Sequence, residues 1–277
     1  MKVGVVALGL IGASFAKAVK AYTPHTVFGE NRSQSVLEFA LMTDTIDGRL
    51  DETTLPECEL IFLASYPDAC LAWLEKHARE IRPGAVVLDG CGVKQVICEK
   101  GFAIAQKHGF TFVGGHPMAG YHKSGIKYAR ETLFKGASMI VVPPDARDVD
   151  LLARLTDFFK SIGFGSVTVT DAVTHDRNIA FTSQLAHVVS NAYVKSPRAI
   201  VHKGFSAGSY KDLTRVAYLN ETMWTELFLD NKDFLKEEID HLIGELRKYS
   251  DALAAGDAPA LEALLRDGRE RKERIDS

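Results

Sequence analysis

The stretch that most limits what this chain can fold into lies at its start. Lys2 to Val6 is a short valine-rich run that passes directly into Ala7-Leu8-Gly9-Leu10-Ile11-Gly12-Ala13-Ser14. Beyond it, Ile11, Phe15, Ala18, Val19 and Tyr22 recur at helical spacing. Strand, glycine-rich turn and helix in immediate succession give the G-x-G-x-x-G dinucleotide fingerprint, with alanine in its first slot. Gly9 lets the backbone approach a pyrophosphate, and Gly12 lets helix and strand pack closely. The free N–H groups and positive end of the helix dipole then favour the phosphates. Leu8, Gly9, Leu10, Ile11 and Gly12 are therefore the first expected cofactor contacts.

A second run, Thr26 to Gly29, ends in Glu30-Asn31-Arg32-Ser33. An acid at such a strand end binds the ribose hydroxyls of NAD, whereas an arginine suits the extra phosphate of NADP. Asn31 stands in the acid's place and Arg32 follows it, which leans towards NADP. Glu30 keeps NAD open. Further strand-like runs cover Leu60–Ala64, Ala85–Asp89, Thr111–Gly114, Met139–Val142 and Ser166–Thr170, with helical patterns between them. That alternation predicts an α/β fold, a Rossmann-type doubly wound and mostly parallel sheet over residues 1–170. Ser65 and Gly92, each just past a strand end, join the expected cofactor contacts on the same rim.

On that rim Gly114-Gly115-His116-Pro117-Met118-Ala119-Gly120 reads as a tight turn after a strand. It sets one imidazole among glycines, and histidine is the side chain best suited to proton transfer near neutral pH. Asp89-Gly90-Cys91-Gly92-Val93-Lys94 ends a neighbouring strand; Cys91 reads as a small buried filler, and Lys94 as a solvated helix-start residue or a ligand contact.

After Asp171 the strand signals cease, and residues 171–277 read as an all-α domain. A long helix over Val173–Val194 carries Ser183, His187 and Asn191 on one face. Gly204 to Gly208 reads as a loop, with Asp212 as the N-cap of a helix bearing Arg215. Arg215 offers a planar, permanently charged fork for a carboxylate; the plainer alternative is an ion pair with Asp212.

The chain has 277 residues, enough for two domains, and a formal net charge of −3. No basic patch points to nucleic acid, and no apolar run is long enough for a membrane span. The four cysteines lack C-x-x-C or zinc spacing, so no metal site is expected. With a strand beginning at Lys2 there is no room for a signal peptide, and the thiols read as reduced in a cytoplasmic protein.

Several segments together resemble the prephenate/arogenate dehydrogenase family of tyrosine biosynthesis. They are Gly9 to Ser14, Asp89 to Lys94, Gly115 to Gly120, His175-Asp176, Ser183 to His187 and Tyr210 to Arg215, in the family's order. The resemblance spans nearly the whole chain, with no segment left for a fused mutase or regulatory domain. It implies NAD(P)-dependent oxidative decarboxylation of prephenate or arogenate and a homodimer formed through the helical domain. It further implies His116 as general base, Arg215 on a substrate carboxylate, and His187 lining the pocket. Lys211, Tyr121, His122 and Gln184 are the other substrate contacts it suggests. Gly92 departs from the family's frequent serine. Gln184 and Ala186 stand where a common S-H-L-P-H element has histidine and proline. Tyr121 and His122 replace a small or hydroxyl residue and then an acid, and His122 would bring positive charge to the pocket mouth. A β-hydroxyacid dehydrogenase or imine reductase of similar architecture, using Lys195 or Lys203, and a non-catalytic dinucleotide sensor are the alternatives.

Overall fold

The computed structural model describes residues 1–121 and 123–277. β1 (Lys2–Val6) passes through the glycine-rich turn into α1 (Leu10–Tyr22), followed by β2 (Thr26–Glu30), α2 (Gln34–Met42) and a two-residue edge strand β3 (Gly48–Arg49). β4 (Leu60–Leu63), α3 (Pro67–His77), β5 (Val86–Asp89), α4 (Gln95–His108) and β6 (Thr111–Pro117) continue the alternation. β7 (Ser138–Val142), α5 (Val149–Ser161) and β8 (Ser166–Val169) complete an eight-stranded sheet in the order β3-β2-β1-β4-β5-β6-β7-β8. β1 pairs parallel with both β2 and β4, setting Val6 opposite Glu30 and Leu63. The chain winds outward from β1 in one direction and then returns to wind in the other. The crevice at that switch point, beyond the strands' C-terminal ends, is where such sheets receive ligands.

β6 serves two neighbours. Thr111 to Val113 pair parallel with β5, whereas Gly114 to Pro117 pair antiparallel with β7, with His116 opposite Ile140. Gly114 to Pro117, read from sequence as the start of a turn, are therefore strand, and only Met118 to Gly120 lie beyond it. Its glycines are needed for close approach: a Cβ on Gly115 would run into the Asp89 carbonyl oxygen, and one on Gly114 into Cys98 Sγ.

Apolar side chains cover both faces of the sheet. On one face Phe15 of α1 stacks on Phe62 of β4 at 4.2 Å, with Phe134, Phe158 and Phe159 in the same layer. On the other, Trp73 and Leu74 of α3 and Ile97 of α4 cover Ile61, Val87 and Phe112. Burying each large side chain contributes about 1.5–3 kcal/mol. The four cysteines are buried free thiols.

From Ala172 onward the chain is helical: α6 (Ala172–Ile179), a π-helical stretch Ala180–Leu185, α7 (Ala186–Tyr193), α8 (Gly208–Thr214), α9 (Glu221–Asp230), α10 (Lys232–Ala255) and α11 (Ala258–Asp276), with short 3₁₀ turns between elements. Asp171, Asn220 and Asp257 cap α6, α9 and α11 by accepting from the third backbone N–H beyond each. The helix expected over Val173–Val194 is thus present but changes its winding midway. Asp212 is no N-cap, because α8 already starts at Gly208 and takes Asp212 into its body. Among the described residues no helix is long and apolar enough to cross a membrane.

Candidate active site

The glycine-rich turn has the shape of a phosphate cradle. Ala7, in the slot where the fingerprint has glycine, lies in the left-handed region at φ 69°. Gly9 caps α1 with no side chain bonded across the helix start, and nothing lies within 4 Å of where its Cβ would be. A Cβ on Gly12 would meet the Ala7 carbonyl oxygen well inside contact distance and Ala64 Cβ at 2.9 Å. The open position is thus Gly9, and the packed one is Gly12. Leu10 and Ile11 start α1 half-buried, while Leu8 is buried and donates its N–H to Asn31 Oδ1 at 3.0 Å. Asn31 braces the turn from β2. Arg32 is exposed and has no ion-pair partner among the described residues, and Glu30 accepts Trp73 Nε1–H at 2.8 Å. These features fit a dinucleotide: uncapped N–H groups and open space at the turn, and a free cation beside it.

Farther along the rim Ser65 follows β4, its carbonyl accepting Cys91 Sγ–H at 3.4 Å. Gly92 follows β5, with Leu227 of α9 packed 3.4–3.5 Å from where its Cβ would lie. Asp89 knots this corner. Its Oδ1 accepts Gly115 N–H at 3.1 Å where β6 leaves β5, and its Oδ2 accepts Cys91 N–H at 2.9 Å and pairs with Lys94 Nζ. Lys94 is 0% exposed, so neither sequence reading of it holds. It is the buried counter-ion of Asp89, and the carboxylate's charge keeps the ammonium protonated against burial, with its pKa raised.

His116 is half-buried at the end of β6, with its Nδ1 2.9 Å from His175 Nε2. His175 Nδ1 lies 2.7 Å from Asp176 Oδ1. Asp176 also accepts Lys94 N–H at 2.7 Å and Gln95 N–H at 2.9 Å, at the start of α4. A carboxylate in such company only accepts, so His175 Nδ1 carries the proton and donates it. His175 Nε2 is then the acceptor, and His116 Nδ1–H must donate to it. The chain of bonds leaves one lone pair over, on His116 Nε2. Burial pushes the His116 pKa well below the usual histidine value, and His175 and Lys94 push it the same way. Burial also lowers that of His175. At neutral pH His116 is a neutral base of fixed tautomer.

His187, on α7, donates Nδ1–H to the Ser183 carbonyl at 2.8 Å and lies against Trp224, ring centroids 4.1 Å apart. Burial lowers its pKa, and the nearby Arg215 guanidinium lowers it further. Arg215 and Lys211 are exposed one helical turn apart, and no ion pair between Arg215 and Asp212 occurs among the described residues. Two groups are thus assembled: His116 with His175 and Asp176, and His187 with Trp224 and Arg215. No direct bond joins them among the described residues. Gln184, expected at the substrate, is 1% exposed and engages both ends of its amide, on Leu227 O (3.0 Å) and Asn231 Nδ2 (2.7 Å), so its side chain is held in the interior. Tyr121 is exposed, with the Arg130 guanidinium 5.3 Å from its ring centre. His122 lies outside the described residues. Sequence reasoning gave no role to His175, Asp176 or Asn231; an adjacent His-Asp pair in a helix carries no local sign of what it faces.

Residues 15–168 match the prephenate dehydrogenase nucleotide-binding domain, and residues 171–267 match the prephenate dehydrogenase dimerization domain. The chain belongs to the prephenate dehydrogenase family. It is 30% identical over 263 residues to a prephenate dehydrogenase of Bacillus subtilis, covering 92% of this chain and 70% of that one. Among solved structures it is similar to Synechocystis arogenate dehydrogenase (28% identity, TM-score 0.82, 99% and 100% of the two chains). It is similar also to the prephenate dehydrogenase of A. aeolicus in complex with hydroxyphenyl propionate and NAD+ (25% identity, TM-score 0.86, 99% and 98%). As a member of the prephenate dehydrogenase family the chain is an oxidoreductase, a Rossmann-type nucleotide-binding domain followed by a helical one.

Proposed function

We propose that this chain catalyses the oxidative decarboxylation of prephenate or arogenate to a phenol, with His116 Nε2 as the base. The observation that carries this reading is the bond chain from Asp176 through His175 to His116, which leaves a single free lone pair on the rim of the sheet. A bound nicotinamide dinucleotide would supply the hydride acceptor, held by Gly9, the start of α1, Ser65 and Gly92. His116 takes the proton from the ring hydroxyl while hydride leaves the same carbon. The imidazolium so formed keeps its Nδ1–H on His175, and the Asp176 carboxylate offsets its charge. Arg215, with Lys211 beside it, holds a substrate carboxylate by charge-assisted hydrogen bonds, and neutral His187 shapes the pocket wall. Loss of the ring carboxylate as carbon dioxide leaves its electron pair in the ring and gives an aromatic phenolate, to which the His116 imidazolium returns the proton; aromatisation drives the reaction forward.

NADP is the favoured cofactor in this reading. Glu30 is engaged by Trp73 and Asn31 by Leu8, which leaves exposed Arg32 to meet an additional phosphate. A homodimer through the helical domain is part of the proposal, supported by exposed Leu246, Leu253 and Leu265 on α10 and α11. A cytoplasmic location accords with four unpaired thiols. The test is reduced-cofactor absorbance with prephenate and arogenate, each with NAD+ and NADP+. Turnover fastest with one NADP+ pair is the expected result; silence in all four, from protein that binds cofactor, would refute the reaction.

A further inference from the structure

The helix that carries both His175 and His187 changes its winding between them. Ala180–Leu185 is π-helical, flanked by α6 and α7. Proline and glycine are common causes of a break in regular helix, and neither occurs between Ala172 and Tyr193. Buried amides stand there instead. Gln184 donates to the Leu227 carbonyl and accepts from Asn231 Nδ2, and Asn231, 2% exposed, also donates to the Asp176 carbonyl at 2.8 Å. Asp176 precedes the widened stretch, Gln184 lies within it, and Leu227 and Asn231 form the α9–α10 corner. Two amides thus fasten the helix to that corner both before and inside the π stretch.

The consequence is a rotation. His175 and His187 are twelve residues apart. At the roughly 100° per residue of an unbroken α-helix they would point about 120° apart around the axis. A π stretch absorbs one residue more than α winding over the same length, which takes back about 100° and leaves the pair within about 20°. We propose that the π stretch is a register device for the active site, and that Gln184 and Asn231 are positioning residues that hold it. It sets His187 on the same face of the helix as His175, hence on the side of His116. In unbroken α winding His187 and its ring contact with Trp224 would be turned away. The inference rests on the reading of His116 and His187 as two sides of one substrate pocket.

Two changes test it. Deleting Thr182, an exposed residue whose hydroxyl donates to the Asn178 carbonyl, would restore α winding and swing His187 by about 100°. We expect kcat/KM for prephenate to fall about 100-fold, the usual cost of a displaced catalytic geometry, with cofactor affinity by fluorescence titration unchanged. Gln184→Leu removes both side-chain bonds at similar volume and should act mainly through KM, by about tenfold. Gln184→His, which keeps a donor and an acceptor, should recover most of that loss. Histidine NMR titration supplies the second readout: the His187 resonance and pKa should move in the deletion and in Gln184→Leu, while those of His116 and His175 stay. Wild-type kcat/KM in the deletion variant, or an unmoved His187 resonance, would overturn the proposal. If the unaltered protein turns over neither substrate, the reaction reading has failed, and the NMR result alone decides the register.

Discussion

His116 Nδ1 donates to His175 Nε2 at 2.9 Å because the proton on the far side of His175 is already committed to Asp176 at 2.7 Å. The direction of the whole chain is thus set by a carboxylate two links from His116. Asp176→Asn tests this. An amide can offer either a donor or an acceptor to His175, so the His116 tautomer is no longer dictated. We expect kcat to fall about 10²–10⁴-fold, the range seen when a histidine base loses its orienting carboxylate or its own function. Cofactor affinity should stay near its original value, because Asp176 does not touch the glycine-rich turn. Stopped-flow kinetics with equilibrium cofactor titration would separate the two, and an unaltered kcat would remove the chain from the mechanism.

The lowered pKa values of His116 and His175 have consequences for rate and for stability. His116 must be neutral to accept a proton, so the acidic limb of kcat/KM should lie below the ordinary histidine value of about 6.5. For stability, the unfolded chain binds these protons at that ordinary pKa, whereas the folded chain resists them until lower pH. Between the two values the unfolded state holds more protons, so stability falls as pH drops below about 6.5 and is fully present above it. Tm measured from pH 7.5 down to pH 5 should decline, and the decline should shrink in the variant His175→Gln. A flat Tm over that range would show that these imidazoles titrate as in water.

Lys94 and Asp89 make a different kind of prediction. Both are fully buried and pair with each other, and Asp89 also ties β5 to Gly115 of β6 and to Cys91. Lys94→Met would leave an uncompensated carboxylate in the interior, at a cost of about 3–5 kcal/mol. Adding Asp89→Asn removes that charge while retaining an acceptor for Gly115, so the double variant should be more stable than Lys94→Met alone. Chemical denaturation of the three proteins gives the comparison directly. Additive losses would mean that the two residues do not act as a pair.

The nucleotide half was legible because its signals are local. Valine runs, the Gly9 and Gly12 spacing and the strand–helix alternation each depend on neighbours in sequence, and the sheet follows from them. Gln184 shows where such reading stops. The family resemblance placed it at the substrate, but its partners, Leu227 and Asn231, lie more than forty residues away. Lys94 misled for the same reason: only the packing of β5, β6 and α4 reveals that it has no solvent. His116 was legible as an imidazole on the rim of the sheet, whereas the carboxylate that fixes its tautomer, Asp176, arrives from another domain. The change of winding at Ala180–Leu185 left no trace in the apolar periodicity, since a single extra residue shifts the pattern no more than ordinary irregularity does.

Ala7 and Gly12 face each other across the glycine-rich turn, and their substitutions should act in opposite directions. Ala7 holds a left-handed conformation, φ 69°, that costs an L-residue about 1–2 kcal/mol. Ala7→Gly removes that strain but adds about 0.5–1 kcal/mol of chain entropy to the unfolded state. The net expectation is a stabilisation of at most about 1.5 kcal/mol with the cradle unchanged. Gly12→Ala instead puts a methyl group into the Ala7 carbonyl and against Ala64, neither of which is a flexible side-chain end. The turn must move, and with it the N–H groups at the start of α1. Cofactor affinity should drop at least tenfold, the loss of one charge-assisted hydrogen bond to the phosphates, while the helical domain and its histidines stay as they are. Calorimetric titration of both variants with NAD+ and NADP+ checks this, and a Gly12→Ala protein that binds either dinucleotide normally would show that the phosphates do not rest on this turn.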